Sequence, residues 1–347
     1  MKNKKMKNKI LSFAVLLGIF GLVGASFGQS GSGYHLVDEI KVGGEGGWDG
    51  LVADAEGRRL YVSHATRVIV IDTQTDKVVG EIPNTNGIHC IALAEKLGRG
   101  FTSNGRDNSV TIFDLKTLKV LGTVPTGKNP DAISYDPASK RVFAFNGGSS
   151  DVTVIDAAEG KVVGTIPLNG KPEFSTVDGA GTVFVNLEDK SEVLAIDAAK
   201  MTVRSRWPLA PGEEPTGLAL DPKTMRLFSA CKKRMVILDA ASGKVLSDLP
   251  TGQGTDGAEF DPHNRFAFAS NGEGTLTVVR EESKDKFSVV ENVPTRRGAR
   301  TMAIDTKTHK VYLPTAKFGE TPAPTAQQPR PRAPIIPDSF VVLVYAK

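Results

Sequence analysis

A chain of 347 residues with 40% hydrophobic and 24% charged side chains has the balance of an ordinary folded domain. That balance excludes collagen-like and highly charged disordered classes and allows a large core. The 43 basic and 39 acidic residues give a net charge of +4, too small for a whole-surface attraction to nucleic acid.

The first element in chain order is a leader. Lys2, Lys4, Lys5, Lys7 and Lys9 form a basic stretch, and Ile10 to Val23 is an uncharged apolar run. Ser26-Phe27-Gly28 before Gln29 fits the small-x-small cleavage rule, so residues 1–28 are expected to be a signal peptide. The apolar run is short for a membrane span, and no Cys stands near the junction to accept a lipid. The mature protein is therefore expected in the periplasm or secreted, with no stable membrane insertion after cleavage. Without the five lysines the balance is 38 basic to 39 acidic residues, a net charge of −1.

A repeat dominates the rest. RLYVSHATRVIVIDTQTDKVVGEIP recurs as RGFTSNGRDNSVTIFDLKTLKVLGTVP and as RVFAFNGGSSDVTVIDAAEGKVVGTIP. An aspartate marks the register at Asp72, Asp114, Asp156, Asp197 and Asp239, spaced by 41 or 42 residues; Arg280 takes that slot in a sixth copy. A seventh copy begins TMAIDTKTHKVYLP and ends SFVVLVYA. Each copy reads as four short β-branched or aromatic runs parted by Asp-, Pro- and Gly-containing turns. Four strands at a period of 40 to 45 residues predict a propeller blade. The fold class expected is all-β, a single seven-bladed propeller over residues 29–347. The seventh copy lacks a fourth strand, and Tyr34 to Val42 (YHLVDEIKV) resembles the missing one. An N-terminal strand completing the last blade would remove an exposed edge. Cys90 and Cys231 then fall in non-adjacent blades, too far apart for a disulfide.

Tyr61-Val62-Ser63 followed by Val68 to Asp72 resembles the core of the YVTN β-propeller repeats, and the whole of residues 34–347 resembles the YncE-like exported propellers. The resemblance implies a periplasmic seven-bladed propeller associated with DNA or ligand binding rather than with a defined reaction. Two features depart from it: the sixth copy lacks the aspartate, and the seventh carries a long insertion.

Propeller geometry sorts the loops by face. Loops from first to second and from third to fourth strand are short and repetitive, and read as turn chemistry; the marker aspartates, His263 and His309 belong there. The opposite loops vary between copies, as expected of binding loops on a rigid scaffold. At that mouth the first strands begin with Trp48 and Asp49, His89, Asp131, Glu173, Thr216, Asp256 and Arg300. The second-to-third loops add His64, Arg67, Asn104, Arg106, Asn146, Asn186, Lys232, Asn271 and Lys317, with the Asn-Gly pairs read as turns. His64 and His89, with Asp49 and Asp131, would suit a metal ion or an acid–base pair if the fold brings them together. The expected binding set is Trp48, Asp49, His64, His89, Asp131, Glu173, Asp256 and Arg300.

No G-x-S-x-G elbow, P-loop, C-x-x-C or haem-attachment motif is present, so neither a catalytic set nor a cofactor is predicted. Lys232, Lys233, Arg234, Arg296, Arg297 and Arg300 are basic on the variable face; Asp131, Asp151, Glu173, Glu188, Asp189, Glu213 and Glu214 are acidic. Phe318 to Pro337 is a Pro-rich insertion carrying Arg330 and Arg332. The function expected is a scaffold binding a protein or small ligand around the channel. The alternatives are a lactonase- or lyase-like propeller enzyme and, with less support because Trp48 is the one aromatic at the mouth, a nucleic-acid binder.

Overall fold

Period-two runs such as RVFAFN and DVTVID put alternate apolar side chains on both sheet faces, and both faces are covered. Strands Arg141–Asn146 and Asp151–Asp156 are buried along almost their whole length. The computed structural model describes residue 1 and residues 31–347 except 326, 327 and 330. The expected leader thus lies outside the described residues apart from Met1, and so does Arg330.

Among the described residues the strands form seven four-stranded antiparallel sheets, six of them in simple chain order. The third blade is typical: Pro130–Asp136, Arg141–Asn146, Asp151–Asp156 and Lys161–Pro167 run from the central channel outward. The two buried middle strands supply most of the core, which lies between neighbouring blades. Phe143, Phe145, Val152 and Val154 of the third blade pack on Val183, Val185, Leu194 and Ile196 of the fourth.

The turn reading of the marker aspartates holds. Asp72 accepts from the backbone N–H of Gln74 and Thr75 at 2.9 and 2.8 Å, Asp156 from Ala158 and Glu159, and Asp239 from Ser242. These bonds favour the ionised carboxylate and hold Asp72 below the usual range. Arg280 needs no such turn, because its hairpin is longer: Thr275–Ser283 pairs with Lys286–Pro294. The Asn-Gly expectation needs correction. Asn104, Asn146 and Asn271 end second strands with fully buried side chains that donate to Thr111, Thr153 and Thr277 of the third strands. They staple strand to strand instead of supplying a left-handed turn.

Arginines at the start of second strands tie blade to blade. Arg141 donates from Nη1 to the carbonyls of Ala198 and Ala199, both at 2.7 Å, and Arg59 and Arg99 make the same reach. Closure is as expected: His35–Lys41 pairs antiparallel with Val341–Ala346 as the outer strand of the last blade. Tyr34 anchors its start, buried and donating to the carbonyl of His309 at 2.9 Å. Cys90 and Cys231 are both free and buried.

Candidate functional site

Each innermost strand enters the ring from the variable face, so its first residue stands at the channel mouth. The channel below holds a cavity of about 160 Å³. Its wall includes Gly50, Cys90, Ala132, Phe174, Gly257 and Met302, each one or two residues beyond Asp49, His89, Asp131, Glu173, Asp256 and Arg300. The repeat therefore delivers one polar group per blade to one circle.

Six blades contribute a charged group, and acid alternates with base from Asp256 round to Asp131. Arg300 Nε donates to Asp256 Oδ2 at 2.8 Å, and its Nη2 lies 3.6 Å from Asp49 Oδ1. Asp49 Oδ2 accepts from His89 Nδ1 at 2.6 Å, and Asp131 Oδ1 lies 3.6 Å from the same nitrogen. Glu173 pairs with Lys171 at 2.8 Å, and Lys171 also pairs with Glu188. Blade five supplies Thr216, whose hydroxyl donates to the Thr255 carbonyl at 3.1 Å. The charged arc opens there.

Burial disfavours the charged form of His89, but its bonds to Asp49 and Asn129 and the charge of Asp131 outweigh this and push it up to about 9. The ring is an imidazolium at neutral pH. Burial drives Asp256 up to about 6 against the pull of Arg300. Asp131 and Glu173 are both raised, chiefly by burial; the charges of Asp49 and Glu188 add to the rise at Asp131, and those of Asp131 and Glu188 to the rise at Glu173. Five carboxylates thus face three cations, and three of the carboxylates hold their protons more tightly than in water.

Trp48 has its indole packed 5.2 Å from Phe340 and 6.2 Å from Phe318, while its carbonyl accepts from Arg300 at 3.1 Å. It is wall, not a free stacking platform. His64 stands apart from the ring it was expected to join. Its side chain is fully buried, edge-on to Phe340 at 4.3 Å, with Nε2 3.0 Å from the Gly43 carbonyl. Burial lowers its proton affinity. The physical reason is the insertion: Phe340 follows it and fills the space over the first blade.

Two groups escaped the sequence reading. Lys171 sits two residues before Glu173 in a loop, with no period to mark it. Glu259, three residues beyond Asp256, lines the channel cavity, and burial alone pushes it up to about 8. A signal existed for Glu259. The matching positions of the other copies are Val52, Ala92, Ser134, Thr176, Ala219 and Ala303, so one acid interrupts a small or apolar set.

The basic patch is largely neutralised. Arg296 pairs with Glu39, Lys232 with Glu214 at 2.9 Å, and Arg234 with Asp248.

No protein-family model and no curated protein matches the chain. Solved structures do. A chain of Kuenenia stuttgartiensis hydrazine synthase is similar at 17% identity and a TM-score of 0.68, covering 77% of this chain and 92% of that one. A chain of the mitotic checkpoint complex is similar at 12% identity and a TM-score of 0.68, covering 89% and 96%. At such identities the likeness speaks of the propeller fold alone.

Proposed function

We propose that the protein is an exported propeller scaffold that binds a small polar ligand, carrying at least one positive charge, at the mouth of its central channel. One observation carries this reading: six of the seven blades place a charged group on one circle, in which half-buried carboxylates outnumber cations. Solvated surface acids do not hold their protons this way; buried ones do until a cation arrives to offset their charge. A cationic group seated among Asp131, Glu173 and Asp256 would draw them back toward ionisation, so binding would release protons. The expected leader at residues 1–28 and the resemblance to exported propellers support an extracytoplasmic site.

The test is a thermal-shift screen of diamines, amino acids and carboxylates on the parent and on an Asp131→Asn/Glu173→Gln double variant. Amine-bearing ligands should stabilise the parent, and the variant should lose that response. Carboxylates stabilising both proteins equally would exclude the proposal.

A second reading rests on a separate observation. Ligand atoms of Asp49, His89 and Asp131 lie within 4.8 Å of one another, which suits a divalent cation. Such an ion must displace the proton on His89, so its affinity should rise steeply between about pH 7 and pH 9. Calorimetry with zinc and manganese across that range checks it; affinity independent of pH would exclude this set.

A further inference from the structure

Beside the mouth lies a second cavity of about 540 Å³, between the first blade and the base of the Pro-rich insertion. Phe318 and Ile335 form an isolated antiparallel bridge that pins the two ends of the insertion together. Trp48, Phe318 and Ile335 give the cavity an apolar wall, and Arg297, Arg300 and Arg332 reach into it. Arg300 and Arg332 also line the mouth, so the two spaces adjoin.

Among the described residues, two of the three arginines in this cavity lack a carboxylate partner. Arg300 is held by Asp256 and Asp49, but among the described residues neither Arg297 nor Arg332 pairs with a carboxylate, and no carboxylate lines the cavity. Arg297 lies over the Phe318 ring at 5.4 Å, and Arg300 over Trp48 at 6.0 Å. A guanidinium beside a ring and without a carboxylate partner, as at Arg297, keeps its donors for a planar acceptor. The indole N–H of Trp48 is buried and has no acceptor among the described residues. The volume falls in the range of small-molecule sites, about 300–1,000 Å³.

We propose that this cavity is a binding site for a planar aromatic carboxylate, with the ring against the wall that Trp48, Phe318 and Ile335 form together and the carboxylate on Arg297 and Arg332. Apolar surface alone would take neutral aromatics, and free arginines alone would take any anion; the combination asks for both features in one molecule. The site is distinct from one for a cation at the mouth, because the two select ligands of opposite charge.

The experiment is calorimetric titration of the full chain with 2-naphthoate, 2-naphthol and acetate. 2-Naphthoate should bind with a dissociation constant between about 10 μM and 1 mM, and the other two at least about tenfold more weakly. Arg297→Ala/Arg332→Ala should weaken 2-naphthoate about tenfold or more, and Arg297→Lys/Arg332→Lys should recover part of the loss. Asp131→Asn/Glu173→Gln should not weaken 2-naphthoate binding, so failure at the mouth and failure here are told apart. Both arginines are exposed, so their removal should leave the melting temperature within about 2 °C of the parent. Equal binding of 2-naphthol, or 2-naphthoate affinity untouched by the double alanine variant, would overturn the assignment.

Discussion

Replacing Asp49 by Asn tests the electrostatics of the mouth at a single atom. The carboxylate oxygen 2.6 Å from His89 Nδ1 becomes a neutral amide, while Asp131 stays 3.6 Å away. An adjacent carboxylate favours the charged ring and raises a histidine. Because Asp131 and Asn129 still favour the charged ring, His89 should fall from about 9 toward its ordinary value without reaching it. The linked stability has a definite sign. A histidine whose proton is held more tightly in the folded state contributes stability below about pH 6.5, and that contribution is lost as pH rises through about 9. The shift bounds the effect at about 3 kcal/mol, and partial solvent access brings it to about 1–2 kcal/mol. The assay is a carbon–proton NMR titration of labelled histidine, tractable because the chain has five. An unfolding series from pH 6 to 10 on parent and variant accompanies it. A parent His89 titrating near 6.5, or an Asp49→Asn variant with the same midpoint as the parent, would refute the reasoning.

Three further outcomes are expected. Deleting residues 31–41 removes buried Tyr34 and Ile40 and unpairs the last strand, which should cost at least about 4 kcal/mol and lower the melting temperature by about 8 °C or more in differential scanning calorimetry; a change under about 2 °C would contradict the closure. Arg141→Ala removes two bonds between the third and fourth blades and should cost about 1–3 kcal/mol in denaturant unfolding, whereas Lys161→Ala on an exposed strand end should be near neutral. Glu259 holds its proton more tightly in the folded state, so the parent loses stability as pH rises toward about 8; Glu259→Gln should match the parent near pH 5 and exceed it at pH 9, and parallel pH curves would contradict the channel placement.

The ring of blades was legible because propeller order is periodic in one dimension: the aspartates at 72, 114, 156, 197 and 239 recur for a turn-forming reason that each copy shares. The mouth was legible for the same reason, since the first residue of an inner strand has one place to go. Asp49, His89, Asp131, Glu173, Asp256 and Arg300 all stand there. His64 was not legible, because its position depends on packing against Phe340 after a loop unique to one copy. Lys171 was hidden in a loop without period. The pairing of Arg296 with Glu39 joins residues 257 positions apart, a distance at which charge patterning along the chain carries no information.

The most direct test of the mouth as a binding site is native mass spectrometry of the full chain exported to the periplasm and purified without chelator, before and after mild desalting. The expected result is a small-molecule or ion adduct that the Asp131→Asn/Glu173→Gln protein lacks and that leaves as pH is lowered, when the carboxylates take up protons. An adduct carried equally by both proteins at every pH would contradict it.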